Sequence, residues 1–162
     1  MKTIIYYFTG TGNTLAAARA LAEELGGDTK LIPLRRAMHY GGYTPESDAV
    51  GIAFPVHFLD MPAIVRQFVF NILFSGTPYI FGLATCGERP GGALFRLQEL
   101  LEEKGYSLSA GFALVMPENF IGPDPGYRGC YPRPEDTGPG REQFVPVKTR
   151  GPVHPPPRNR GV

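Results

Sequence analysis

The sequence predicts an α/β protein built on a doubly wound, five-stranded parallel sheet, and three observations predict it. Apolar runs of strand length alternate with amphipathic helical stretches over the first 116 residues. Strands separated by helices pair in parallel through right-handed crossovers. The first run opens directly onto a turn with two glycines and an alanine-rich helix, the order of a βαβ unit. Finally, 162 residues with 43% hydrophobic and 19% charged content suffice for one packed core.

Ile4 to Phe8 is a short apolar run, as expected of a strand buried on both faces. Over Asn13 to Leu25, Leu15, Ala18, Ala22 and Leu25 recur at helical spacing, and Gly26-Gly27 supplies a C-terminal stop. Lys30 to Leu34 reads as a second strand that Pro33 restricts to a strand end or a sheet edge. Ala49 to Phe54 is a third strand. Pro62 suits a first helical turn with Asp60 as its cap. That helix is expected to reach about Phe74, burying Ile64, Phe68 and Ile72, and to stop at Gly76. Tyr79 to Ala84 is a fourth strand, and Ala93 to Lys104 a helix with Leu94, Leu97 and Leu101 inward and Gly105 closing it. Leu108 to Met116 is the fifth strand.

The character changes after Ile121. Residues 122–162 hold 10 of the 17 prolines and 7 glycines, and no period survives, so residues 1–121 form the expected domain and 122–162 a Pro/Gly/Arg-rich tail, disordered or foreign to the domain. A polyproline ligand is the other reading of that tail. No helix follows the fifth strand, and part of the sheet face covered by the first helix is expected to lie bare.

Charge and cysteine usage narrow the function. The net charge of +1 divides into −2 over residues 1–121 and +3 over 122–162, far from the basic surface of a nucleic-acid binder. No segment has the apolar length of a signal peptide core or a membrane span, so a cytoplasmic protein is expected. Cys86 and Cys130 lack the spacing of a metal or iron–sulfur site. Cys86 is either a redox thiol or a small apolar filler. No nucleophile, triad or paired-carboxylate arrangement stands out, and hydrolysis has no candidate residues.

The chemistry concentrates in Thr9-Gly10-Thr11-Gly12-Asn13-Thr14. In a parallel sheet this loop lies at the carboxyl edge, where ligands bind, and the following helix aims its free N–H groups and positive dipole end at it. A triphosphate loop needs a lysine, which is absent; the dinucleotide pattern GxGxxG finds Leu15 in place of its third glycine. Four hydroxyl or amide side chains within six residues suit a terminal phosphate monoester, whose three oxygens can be surrounded. FMN carries such a group. Arg35 and Arg36 stand where a Rossmann domain reads a 2′-phosphate, or are a solvated pair on a loop.

YFTGTGNT after an apolar strand resembles the phosphate loop of the flavodoxin family, with the pattern [ST]-x-T-G-x-T. The likeness extends through Ala49–Pro55, Met61-Pro62, Thr85-Cys86-Gly87 and Met116-Pro117-Glu118-Asn119, about the first 120 residues, and is similar to flavodoxin domains fused to a ferredoxin module. The resemblance implies strand order 2-1-3-4-5 and noncovalent FMN. It implies a phosphate contact at Thr9, Gly10, Thr11, Gly12, Asn13 and Thr14, and a flavin-face contact at Pro55, Val56, His57 and Phe58. A third contact, on the pyrimidine edge, falls in the loop Thr85 to Gly92, with Thr85, Cys86, Gly87 and Gly92 as its residues. His57 is otherwise a solvated loop residue and Phe58 a core residue beneath the loop. Glu118-Asn119 either reach the flavin or start a turn. Residues 55–60 hold no glycine, where carrier flavodoxins often place one, and the chain has no Trp to stack on the ring.

An electron carrier is the implied role, with a redox protein or an iron–sulfur module in trans as partner. An NAD(P)H-dependent FMN or quinone reductase on the same fold is the alternative, and a scaffold that has lost flavin a third reading.

Overall fold

A computed structural model describes residues 1–39, 44–76, 78–117 and the backbone of 145–147. Its strands are β1 (Lys2–Tyr7), β2 (Asp28–Pro33), β3 (Ala49–Pro55), β4 (Tyr79–Cys86), β5 (Ala110–Val115) and β6 (Val145–Val147). The helices are α1 (Asn13–Leu25), α2 (Leu34–His39), α3 (Ala63–Asn71) and α4 (Ala93–Glu103). The sheet order is β2-β1-β3-β4-β5-β6, parallel from β2 to β5. This is the expected five-stranded doubly wound arrangement. One addition was not foreseen: β6, from the Pro-rich tail, pairs antiparallel with β5. Pro146 sits in that terminal strand of the described sheet, a position a residue without an N–H tolerates.

Two cores flank the sheet. Ile4, Tyr6, Val50, Ile52, Phe54 and Ile80 pack against Val65, Phe68 and Val69 of α3 and Leu94, Leu97 and Leu101 of α4. On the opposite face Ile5, Ala53, Phe81 and Leu83 meet Ala17 and Ala18 of α1. There Phe112 and Leu114 of β5 are only half-buried, and no helix follows β5 among the described residues. No helix among them is long and apolar enough to cross a membrane.

Several local expectations need correction. The buried face of α1 is Thr14, Ala17 and Ala18; of the expected stripe Ala18 is buried and Ala22 half-buried against the core, but Leu15 is only half-buried and Leu25 exposed. Small side chains let the helix approach the sheet closely, which leucines would prevent. Gly26 (φ 56) and Gly27 (φ 62) then end it in left-handed conformations. Leu34, expected at the end of β2, opens α2 instead, and Arg35 and Arg36 are exposed on that helix.

Helix α3 stops at Asn71, three residues before the expected end. Lys104 Nζ donates to the carbonyls of Val69, Phe70 and Ile72, satisfying acceptors that a longer helix would have bonded internally. Asp60 is not its cap: Pro62 holds that position, and Asp60 Oδ1 accepts the Met61 N–H at 2.7 Å.

Candidate functional site

The parallel register brings the carboxyl ends of β1, β3 and β4 to one edge of the sheet. Pro55 lies beside Thr85, and the Phe8 N–H donates to Ala53 O at 2.9 Å. The Val56 N–H donates to Thr85 O and the Met116 N–H to Cys86 O, each at 2.8 Å. These bonds draw the three following loops around a cavity of about 610 Å3.

Thr9, Gly10, Thr11, Asn13 and Thr14 line its first side, Pro55, Val56, His57 and Phe58 the second, and Thr85, Cys86 and Gly87 the third. Of the residues singled out from the sequence, Gly12 and Gly92 do not reach it, and both act through the backbone. Gly12 (φ 108) makes the left-handed turn into α1. The Gly92 N–H donates to Leu59 O at 2.8 Å. Glu118, Asn119 and Cys130 lie outside the described residues. Arg35 and Arg36 are not part of the lining.

Leu59, Glu88, Arg89, Met116 and Pro117 also line the cavity. The signal for Glu88 and Arg89 was their place within the Thr85–Gly92 loop, and for Met116 and Pro117 their place at the end of the fifth strand, in the stretch that resembles the flavodoxin pattern. Leu59 carried none, because only the tertiary structure turns the 57–60 segment back over the edge.

The first loop is internally braced. Thr9 Oγ1 accepts the Gly12 N–H at 3.1 Å, and Asn13 Nδ2 donates to Pro117 O at 2.8 Å, tying α1 to the segment that follows β5. The Thr14 and Thr85 hydroxyls are 2.7 Å apart and hydrogen-bonded, and both residues are buried. No side chain caps α1, so its first-turn N–H groups and positive dipole end face the loop. A Cβ added at Gly10 would meet open space. The donor set is neutral, rich in hydroxyls and backbone N–H groups, and fits a phosphate monoester.

The second loop is a two-residue β-hairpin. His57 and Asp60 exchange backbone hydrogen bonds at 2.9 and 3.0 Å, and Phe58 (φ 51) and Leu59 (φ 62) both take left-handed conformations. Such a turn favours Asn-Gly, so two bulky residues there are strained. Phe58 is 99% exposed, which removes the reading of it as a core residue. His57 packs edge-on against Phe8, with ring centroids 6.3 Å apart.

Cys86, the last residue of β4 before the third loop, is 8% exposed, and its Sγ lies 3.8 Å from Leu114 O. Burial pushes its thiol pKa up, which suppresses the reactive thiolate. Among the described residues no group of three or more His, Cys, Asp or Glu could hold a metal ion.

Comparison of the sequence with protein-family models and with curated proteins finds no match. Solved structures do resemble it. Rubredoxin oxygen:oxidoreductase from Desulfovibrio gigas superimposes with a TM-score of 0.56 at 19% identity over 72% of this chain, which spans 31% of that protein's length. The flavodoxin of Megasphaera elsdenii gives 0.55 at 21% identity, covering 73% of this chain and 90% of its own. A flavodoxin from Streptococcus pneumonia TIGR4 gives 0.55 at 14% identity, covering 74% and 88%. At these identities the likeness establishes a shared fold.

Proposed function

We infer, from the flavodoxin-like fold of this chain and the cavity at its carboxyl edge, that residues 1–121 bind FMN noncovalently and serve electron transfer. One observation carries the reading: the neutral, hydroxyl-rich loop at residues 9–14 and the loops after β3 and β4 surround a single cavity. Two of the similar structures are flavodoxins, and they support the same reading.

Thr9, Gly10, Thr11, Asn13 and Thr14 would hold the phosphate, with Gly12 shaping the turn. Pro55, Val56, His57 and Phe58 would flank the ring, and Thr85, Cys86, Gly87 and the loop to Gly92 its pyrimidine edge. Bound FMN supplies the redox chemistry. The chain's own residues do the rest. The first-turn N–H groups of α1 and the threonine hydroxyls neutralise a dianion without a formal charge. The exposed Phe58 ring would be free to cover a bound flavin, and the partner, a redox protein or an iron–sulfur module in trans, would dock beside it.

The test is the visible spectrum of the purified full chain, followed by titration of the apoprotein with FMN. A yellow protein, or quenching of FMN fluorescence on addition of apoprotein, is expected. A colourless protein that leaves FMN fluorescence unchanged overturns the reading and favours a scaffold. Rapid bleaching of the bound flavin by NADPH alone would move the assignment to a reductase.

A further inference from the structure

We propose that Gly91 is the positioning residue of the cavity mouth: it seats the backbone of Leu59 and so holds the 57–60 hairpin that presents Phe58. The inference rests on the reading of the cavity as a ligand site, and goes beyond it by assigning what sets the mouth.

Strain poses the question. Phe58 and Leu59 both have positive φ, a conformation that persists only where the surroundings over-determine it. The Phe58 side chain, 99% exposed, packs against nothing that could hold it. On one flank the hairpin is anchored through Asp60, whose carboxylate accepts from the Met61 N–H and from Arg66 Nη2 at 3.1 Å. At the tip the hold falls to Leu59.

Leu59 rests on the turn before α4. A Cβ at Gly91 would lie 2.3 Å from Leu59 O, 2.5 Å from its Cβ and 2.7 Å from its Cα. The obstacle is backbone, which cannot swing aside as the end of a side chain can. Gly91 is itself left-handed (φ +55), and the next N–H, that of Gly92, donates to Leu59 O at 2.8 Å. Contact and hydrogen bond together join the loop after β3 to the loop after β4. The two move as one, and Phe58 is placed by a residue that does not line the cavity.

Amide hydrogen exchange and FMN titration of the full chain test this. Gly76 provides the matched control, being left-handed (φ +74) with open space around a built Cβ, so Gly76→Ala carries the backbone strain without the collision. Gly91→Ala is expected to speed exchange of the His57 and Asp60 amides at least about tenfold while β4 amides stay protected, and Gly76→Ala to leave the hairpin unchanged. FMN binding should weaken by a similar factor in Gly91→Ala, and by much less when Phe58→Ala is already present.

Unchanged hairpin exchange overturns the inference, as does faster exchange with unaltered FMN affinity. Should Gly91→Ala fail to fold, the wild type decides: the amides of His57, Asp60 and Gly92 must share one opening free energy across a urea series. Separate values would refute the interlock. A wild type that takes up no FMN overturns the proposed function, and the exchange comparison still decides the interlock.

Discussion

Replacing Thr85 with valine isolates one buried hydrogen bond whose worth can be worked from the structure. Thr14 is 1% and Thr85 4% exposed, and their hydroxyls are 2.7 Å apart. Thr85→Val keeps the shape but leaves Thr14 Oγ1 shut from water without this partner, a loss of about 1–3 kcal/mol. Thr14→Val strands Thr85 Oγ1 in the same way. The double variant removes both groups at once, and replacing both partners by apolar groups of like shape is close to neutral. The sum of the two single losses should therefore exceed the double by roughly 2–6 kcal/mol, well above the 0.3–0.5 or so seen for independent sites.

Urea unfolding of the four apoproteins measures this, with m unchanged across the set. Additive single effects would refute the reasoning, since they would mean that each hydroxyl finds other partners. Binding separates from stability in the same cycle. The double variant, though folded, lacks both hydroxyls at the cavity and should bind FMN about 10–100-fold more weakly, from the 1.5–3 kcal/mol or so of a hydrogen bond to a charged group.

Cys86 should react slowly with iodoacetamide in a Cys130→Ser background, and more slowly still with FMN bound; a rate equal to that of free cysteine would contradict its burial. Burial raises the pKa of both Cys86 and Tyr6. A raised folded-state pKa contributes stability below the unfolded value that is lost as pH climbs through the folded one. Unfolding free energy should therefore fall on the alkaline side of the ordinary thiol range, and Cys86→Ala should flatten that fall. Lys104→Met should destabilise the protein by about 1–3 kcal/mol, because three carbonyls closing α3 lose their donor. Thermal melting checks it, and an unchanged midpoint would show that water replaces the ammonium without loss.

Much of the architecture was readable from the chain alone. Strand and helix periods differ, so Ala49–Pro55 and Asn13–Leu25 announce themselves by the spacing of their apolar residues. The part of the 9–14 loop in the cavity was readable for the same kind of reason: its donors and glycines are consecutive, and a helix N-terminus needs no distant residue to attract an anion. Features that depend on residues far apart were not readable. The stop of α3 at Asn71 depends on Lys104, 32 residues beyond Ile72. The pairing of β6 with β5 draws on a stretch whose local composition denies it any period. Leu59 gained its place in the cavity only when Gly91 gave it a surface to rest on. Local sequence determines what each segment prefers to be. Tertiary structure decides which distant groups complete it, because the missing hydrogen-bond partners and packing surfaces come from elsewhere in the chain.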